Sequence, residues 1–129
     1  MYTLFFNVYK FLFNLGETAN LVPEGKVIND KPSLLFNSVA PSLDGKIYYT
    51  VSSTNYHLDD SLGEMLGSPS GRLMVFNYKT GVSTVLQEDL HFANGIVLSE
   101  DEDYLVFAEC LRHRLMKYWI QGPKAGMAE

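Results

Sequence analysis

Apolar and polar residues follow one another along this chain in short runs that are typical of β-strands. Turn-forming residues bound these runs, and no window keeps a helical apolar stripe through three turns. The pattern therefore predicts an all-β fold with little helix. The runs are rich in β-branched and aromatic residues: KIYYTVSS (46–53), RLMVFNY (72–78), VSTVLQ (82–87), DYLVFAE (103–109) and RLMKYWI (114–120).

One stretch departs from the strand pattern. Residues 58–70, LDDSLGEMLGSPS, have room for a short turn of helix. Their Gly, Ser and Pro content favours a loop over a regular element. We therefore expect a loop here, with at most one helical turn.

The strand pattern occurs twice. The segment 34–53 matches the segment 90–109 as a Phe, an Asn, a small residue, an apolar pair, an acidic turn and an aromatic strand. The hairpin-like segment 10–25 aligns in the same way with 72–89, and Phe13 is then the equivalent of Phe76.

A period near 60 residues that contains four short antiparallel strands is typical of a propeller blade. The chain then contains about two blades. Because a propeller needs at least four blades to protect its sheet edges, the sequence is predicted to be part of a larger protein.

The repeat bears on the role of Asn94, which precedes Gly95. A type I′ turn needs a positive φ at both central residues, yet the matching Asn37 is followed by Ser38. Recurrence of the Asn without its Gly favours a side-chain role, and a local Asx-type backbone cap is the alternative. In a propeller both residues would open the innermost strand beside the channel, where an amide oxygen can bind Ca²⁺ or a substrate.

Charge and cysteine content exclude several classes of partner and site. The net charge is −5 with no basic stripe, which argues against nucleic acid and anionic membrane surfaces as partners. The single cysteine, Cys110, rules out an internal disulfide and a multi-cysteine zinc site. Because it adjoins an apolar run, it is predicted to be a buried free thiol.

Localisation is not encoded in the residues present. No run reaches the 18 or so apolar residues that a membrane span requires. The apolar start of the chain lacks a basic beginning and a small-residue cleavage site, so it makes a poor signal peptide.

Three long strings carry a resemblance to a known family: FNSVAPSLDGKIYYTVSS, GRLMVFNYKTGVSTVLQEDLHFANGIVLSEDEDYLVFAE and RHRLMKYWIQGPKAGMAE. They resemble the strictosidine synthase-like family, which includes the adipocyte plasma membrane-associated proteins and the insect hemomucins. The resemblance runs from about residue 34 to the end and is weaker over 10–33. It implies that residues 10–129 are part of a six-bladed β-propeller domain and that residues 1–9 are a doubtful N-terminal segment.

The resemblance also implies a chemistry. Related calcium-dependent lactonases and paraoxonases hold a metal in the channel with Asn, Asp and Glu side chains, and Asn37 and Asn94 match Asn positions of that pattern. Plant strictosidine synthases lack the Asn that matches Asn94 and join an amine to an aldehyde without metal. The expected function of the longer protein is therefore an arylesterase- or lactonase-type hydrolase with channel Ca²⁺ and a small ester or lactone substrate.

Two alternatives stay open: a non-enzymatic interaction propeller at a cell surface, and an amine–aldehyde condensing enzyme. The resemblance further implies a secretory or membrane-tethered parent, with any membrane attachment through a segment outside this chain. The isolated chain is expected to be inactive or nearly so.

Three more side chains are candidates for substrate contact. His91 precedes Asn94 by three residues and would line the same channel, although a satisfied loop or strand histidine is the alternative. Glu109 ends an apolar strand, where a carboxylate is costly unless it is paired; it either faces the channel or forms an ion pair with Arg112 or Arg114. Tyr49 is either a substrate contact or a packing residue between blades.

The chain departs from the family at one position. Related sequences usually read Tyr-Phe-Thr-Asp-Ser-Ser where this chain reads Tyr-Tyr-Thr-Val-Ser-Ser over residues 48–53. Val51 therefore stands in place of a carboxylate. Any hydrogen bond between that carboxylate and neighbouring loops is lost, so we expect either the loop geometry or the activity to differ from that of the family.

Overall fold

A computed structural model of the chain describes residues 2–4, 7–12 and 17–129. Within them the backbone forms mostly antiparallel strands, as predicted for an all-β fold. The elements are, in chain order, β1 (Tyr2–Leu4), β2 (Asn7–Leu12), β3 (Glu17–Pro23), β4 (Val27–Ile28), β5 (Lys31–Pro32), β6 (Leu35–Pro41), β7 (Lys46–Ser53), α1 (Ser61–Leu66), β8 (Gly71–Asn77), β9 (Val82–Leu90), β10 (Ala93–Leu98), β11 (Tyr104–Glu109) and β12 (Arg114–Trp119). Two short 3₁₀ turns cover Leu58–Asp60 and Cys110–Arg112.

Two sheets form successive propeller blades. The first is the four-stranded meander β6-β7-β8-β9, and the second is the three-stranded meander β10-β11-β12. Every neighbouring pair of strands is antiparallel and consecutive in sequence. The first strands of the two sheets, β6 and β10, lie against each other. The chain is therefore an all-β segment of a β-propeller, with about two blades as the repeat predicts.

Strands upstream of the first blade form smaller sheets. β1, β2 and β3 form one three-stranded sheet, and β4 and β5 form a hairpin. The predicted match of Phe13 with Phe76 lies outside the described residues. The boundary predicted between residues 9 and 10 falls inside β2, and the assignment of 10–129 to one domain stays a prediction.

The sequence pattern located the strands well. β7 begins and ends at the predicted residues, and four other predicted strands are found within a few residues of their predicted bounds. The turn glycines Gly45, Gly81 and Gly122 have φ values of 88°, 70° and 78°, which L side chains adopt only with strain. Residues 58–70 contain more regular structure than expected, because α1 adds a six-residue helix to the 3₁₀ turn.

Strand β7 is buried along almost its whole length because both of its faces pack against other elements. One face belongs to an apolar cluster formed by Val22, Phe36, Ile47, Tyr49, Val51, Met74 and Phe76. The other face meets the second blade in a cluster formed by Ala40, Tyr48, Leu73, Leu90, Ala93, Leu105, Phe107 and Tyr118. The second cluster is the apolar contact between the blades.

Polar contacts join the same two blades at the end of the sheets where β6 runs into β7. The Glu102 carboxylate accepts hydrogen bonds from the Ser42 hydroxyl at 2.5 Å and from the Leu43 N–H at 3.0 Å. Glu102 has a positive φ of 56°, which turns the acidic β10–β11 loop back toward the first blade.

The second blade leaves one face uncovered. Val97 and Leu115 lie on it and are 61% and 72% exposed. Val97 is the equivalent of Ala40, because Val39 pairs with Tyr49 as Ile96 pairs with Phe107. Leu115 is the equivalent of Leu73 in the same alignment of the two sheets. Ala40 and Leu73 pack between the blades.

No helix in the described part of the chain is long and apolar enough to span a bilayer.

The expectation that Cys110 is buried is wrong. Cys110 is an exposed free thiol. The apolar run that precedes it ends with β11 at Glu109, and Cys110 begins the 3₁₀ turn that leaves the sheet. The residue before it, Glu109, is therefore buried, while the Cys110 side chain is in solvent.

We predict that Leu73→Ala lowers the free energy of unfolding by about 2–5 kcal/mol, since it empties a fully buried position between the blades. The matched control is Leu43→Ala, because Leu43 is 96% exposed and keeps its N–H contact with Glu102. That control should change the free energy by no more than about 0.5 kcal/mol. Urea unfolding of the variants measures both, and equal losses would contradict the interblade packing.

Candidate functional site

Both asparagines lie at the same end of the two sheets. Asn37 is the third residue of β6 and Asn94 is the second residue of β10. β6 and β10 begin at this end, and β7 and β11 end there, because Leu35 pairs with Ser53 and Ala93 pairs with Glu109. The fold therefore brings together two residues that are far apart in the sequence.

Each asparagine lies in an irregular part of its strand. The β6–β7 register shifts between Phe36 and Val39, and the β10–β11 register shifts between Ala93 and Ile96. Asn94 is thus inside a strand and is not the corner of a two-residue hairpin. Such β-bulges leave residues without ladder partners and are common next to active sites.

Thr50 connects the two bulges. Its Oγ1 accepts a hydrogen bond from the Ser38 N–H at 3.1 Å and donates one to the Asn94 carbonyl oxygen at 2.8 Å. Ser52 lies on the same face of β7 as Thr50, and its hydroxyl donates to the Ala93 carbonyl oxygen at 2.6 Å. Thr50 and Ser52 are both fully buried, so these hydrogen bonds join the blades away from water.

The two side-chain amides differ in their contacts. Asn94 Oδ1 accepts the N–H of the adjacent Gly95 at 2.9 Å, whereas the Asx-type cap that the sequence left as an alternative reaches the N–H two residues on. The Asn37 amide makes no hydrogen bond with any residue that the structure describes. Both side chains are half-buried. Their assignment as metal ligands stays a prediction.

Glu109 is engaged in ion pairs. Its carboxylate is 1% exposed, accepts a hydrogen bond from Arg114 Nε at 2.6 Å and lies 3.5 Å from Arg112 Nε. It also accepts the His91 N–H at 2.9 Å. The ion-pair alternative is therefore present with both arginines, which meets the cost of burying this carboxylate.

His91 is tied to the same corner through its backbone. Its N–H contacts Glu109, and its carbonyl oxygen accepts the Leu111 N–H at 3.2 Å. The residue is half-buried, and it lies at the end of the sheets that contains Asn94. A substrate contact by the imidazole stays a prediction.

Tyr49 lies inside the first blade. Its ring is fully buried, 5.8 Å from the Phe36 ring, and its hydroxyl donates to Ser83 Oγ at 3.1 Å. Burial raises the pKa of Tyr49 to about 12. This is the placement of the packing residue that the sequence gave as the alternative, and the substrate contact stays a prediction.

Val51, the residue that replaces the usual carboxylate, is also fully buried in the apolar cluster. It pairs directly across the strands with Arg72, so both side chains lie on one face of the sheet. The Arg72 guanidinium is buried and donates to the Ile28 carbonyl oxygen at 2.7 Å and to Glu88 Oε1 at 2.6 Å. Its Nε has no hydrogen-bond partner among the residues that the structure describes, and position 51 lies directly across the strands from it.

The β7–β8 loop at this end is held by a buried carboxylate that sequence reasoning missed. Glu64 in α1 is 1% exposed. Its Oε2 accepts the hydroxyls of Ser53 and Ser70 at 2.7 and 2.6 Å, and its Oε1 accepts the Ser70 N–H at 3.0 Å. A Glu within a Gly- and Ser-rich segment is typical of an exposed loop, and no local feature of the sequence marks Glu64 as buried.

The candidate metal ligands at this end, among the residues that the structure describes, are the neutral amide oxygens of Asn37 and Asn94. Within residues 2–4, 7–12 and 17–129, no three His, Cys, Asp or Glu side chains come together as a metal site. The amide oxygens of Asn37 and Asn94 are ligands of the kind that Ca²⁺ takes, but Ca²⁺ needs about six to eight oxygens. These residues fit part of a calcium site and do not complete one.

Comparison with known proteins places the chain in a family. The strictosidine synthase family model matches residues 37–123. The chain is 44% identical over 105 residues to hemomucin, an adipocyte plasma membrane-associated protein of Drosophila melanogaster, with 81% of this chain and 18% of the relative covered. It is 38% identical over 88 residues to strictosidine synthase of Catharanthus roseus, with 66% of this chain and 25% of the relative covered.

The fold is similar to that of a solved structure. The X-ray structure of a candidate gluconolactonase superposes with a TM-score of 0.62 at 17% identity, over 88% of this chain and 37% of that one. At such low identity the similarity shows the fold alone. The chain spans between 18% and 32% of the length of the curated relatives it matches.

We predict that the stability of the protein falls as the pH rises from about 10 to about 12. The unfolded chain releases the Tyr49 proton near pH 10.0, whereas the folded protein holds it to about pH 12. Below pH 10 both states are protonated, so the contribution is constant there and is lost only above it. The size is on the order of 2 kcal/mol.

Unfolding free energies of the wild type and of Tyr49→Phe between pH 9 and 12 measure this contribution. Tyr49→Phe should decline less steeply than the wild type. The control is Met74→Leu, which changes another buried side chain of the same cluster without removing a titrating group and should keep the slope of the wild type. Parallel curves for the wild type and Tyr49→Phe would refute the assignment.

We also predict that Val51→Asp pairs with Arg72. Because the carboxylate would accept the unpartnered Nε–H, Val51→Asp should couple to Arg72 by about 1–3 kcal/mol in a double-mutant cycle with Arg72→Met. Val51→Asn is the matched neutral control and should couple less. Chemical denaturation of the four proteins in each cycle gives the coupling energy. A value near zero for Val51→Asp would contradict the proposed pairing with Arg72 Nε.

Proposed function

We propose that this chain, which belongs to the strictosidine synthase family, is part of a propeller hydrolase that acts on small esters or lactones with Ca²⁺ in its channel. The observation that supports the proposal is the placement of Asn37 and Asn94 at one end of two adjoining strands. Their bulges are joined by one buried hydroxyl. Equivalent asparagines on adjoining strands of two blades are what a shared channel ligand would require.

Asn37 and Asn94 would each contribute an amide oxygen to the ion. The remaining ligands, including carboxylates to balance its charge, would come from blades outside this chain, since the described residues hold no such cluster. When bound, Ca²⁺ polarises an ester carbonyl as a Lewis acid. The activity therefore belongs to the complete propeller.

The longer protein is also proposed to be tethered to a membrane or secreted. The names of two relatives support this: hemomucin of Drosophila melanogaster and a protein of Salmo salar are both called adipocyte plasma membrane-associated protein. The Salmo salar protein is 33% identical over 113 residues, with 86% of this chain and 27% of that protein covered. Attachment would use a segment outside the chain described here.

A non-enzymatic interaction propeller is the second candidate. It is favoured by the engagement of Asn94 Oδ1 with the Gly95 N–H and of Glu109 with two arginines. These contacts leave fewer groups of this segment free for chemistry. Amine–aldehyde condensation stays an alternative for the longer protein through its similarity to the Catharanthus roseus enzyme.

The proposal is tested on the complete propeller protein by calorimetric Ca²⁺ titration and by phenyl acetate hydrolysis with and without a chelator. We expect Asn94→Ala to weaken Ca²⁺ binding at least about tenfold, which is about 1.4 kcal/mol, and to reduce hydrolysis. The control is Asn77→Ala in the β8–β9 turn, where Asn77 Oδ1 accepts the Lys79 N–H at 2.9 Å. It should leave affinity unchanged.

Absence of both Ca²⁺ binding and hydrolysis in the wild-type protein would contradict the hydrolase proposal and support the interaction propeller. Hydrolysis that persists in the presence of the chelator would contradict the role of the metal. If Asn94→Ala and Asn77→Ala changed the Ca²⁺ affinity equally, the assignment of Asn94 as a metal ligand would be wrong.

A further inference from the structure

We infer that Thr50 is the positioning residue that fixes the Asn37 and Asn94 amides relative to each other. The inference rests on the proposed function for the identity of the ligand, and it names a residue that does not itself contact that ligand. It starts from the position of the Thr50 hydroxyl between the two bulges.

The hydroxyl takes the place of missing ladder partners. At the β6 bulge Ser38 is skipped by the β6–β7 register, and its N–H turns to Thr50 Oγ1. At the β10 bulge Asn94 is skipped by the β10–β11 register, and its carbonyl oxygen accepts the Thr50 O–H. Buried main-chain groups are costly without partners, so one side chain satisfies a group in each blade.

Both contacts lie on the backbone that carries the amides. One is to Asn94 itself and the other is to the residue directly after Asn37. The Thr50 hydroxyl accepts one hydrogen bond and donates the other, so its single proton is committed to Asn94. A third contact, from the Ile96 N–H to Ser38 Oγ at 3.4 Å, connects the same two bulges directly.

The hydroxyl is specific to this junction. Val39 pairs with Tyr49, and Ile96 pairs with Phe107, so the residue after Phe107, Ala108, is the equivalent of Thr50 in the second blade. Ala108 has no hydroxyl. The strand geometry therefore does not need a Thr here, and the residue is explained by the two bulges that it joins.

Ser52 provides a matched control within the same strand. Its buried hydroxyl also joins the blades, by donating to the Ala93 carbonyl oxygen at 2.6 Å. Its hydroxyl makes no hydrogen bond to Asn37, Ser38 or Asn94 within the described structure. Ser52→Ala therefore removes one interblade hydrogen bond without removing the connection between the amides.

The experiment compares Thr50→Val, Thr50→Ser and Ser52→Ala in the complete propeller protein. Thr50→Val keeps the shape and removes the hydroxyl, while Thr50→Ser keeps the hydroxyl. Three quantities are measured: Ca²⁺ affinity by calorimetry, exchange protection of the Ser38 amide by NMR, and the chemical shifts of the Asn37 and Asn94 side-chain NH₂ groups.

Thr50→Val is expected to weaken Ca²⁺ binding by about 10- to 100-fold, the usual effect of removing a residue that orients metal ligands. It should also abolish Ser38 protection and shift both side-chain NH₂ signals. Thr50→Ser should have the wild-type Ca²⁺ affinity, Ser38 protection and side-chain NH₂ shifts, because it keeps the hydroxyl. Ser52→Ala should lower the melting temperature while leaving the affinity and the two NH₂ signals unchanged.

The NMR readouts separate this inference from the proposed function. If the wild-type protein binds no Ca²⁺, the hydrolase proposal fails, and the shifts of the Asn37 and Asn94 signals in Thr50→Val still decide the positioning role. The inference is overturned if Thr50→Val leaves the Ser38 protection and both NH₂ signals as in the wild type. It is also overturned if Ser52→Ala moves those signals as much as Thr50→Val does.

Discussion

The structure depends on how buried backbone groups are satisfied where two sheets meet. A bulge in the first strand of a blade removes ladder hydrogen bonds, and a main-chain group left unpaired where the blades meet is costly. Hydroxyls from β7 supply the missing partners, since Thr50 and Ser52 reach across to the main chain of β10. The irregular ends of β6 and β10 are thereby held together, and the asparagines they carry lie at the same end of adjoining strands.

Strand β7 can do this because it is buried on both faces. Its residues on one face enter the apolar cluster of the first blade, while Tyr48 on the other face packs against Leu105 and Phe107 of the second. Polar residues in such a strand must find partners inside the protein. Thr50 and Ser52 find them in the neighbouring blade, so the same strand provides both the apolar and the polar contact between the sheets.

The sequence was most informative where structure is decided locally. Strand runs and turn glycines located the elements, and the repeat of Asn37 and Asn94 predicted that they occupy equivalent positions. The sequence was least informative where burial depends on distant partners. Glu64 is buried because Ser53 and Ser70 come to it from two strand ends, and Cys110 is exposed because the chain leaves the sheet one residue earlier. Neither fact has a local signature in the order of residues.

Charge explains why this segment cannot carry the proposed chemistry alone. A divalent cation is stabilised by carboxylates, and the carboxylate that ends β11 beside Asn94, Glu109, is already neutralised by Arg112 and Arg114. The amides of Asn37 and Asn94 offer oxygens without charge. In the proposed site these blades would fix the position of a channel ligand, and the binding energy of a cation would come mostly from acidic side chains on other blades. That division follows from the ion pairs already present at this end of the sheets.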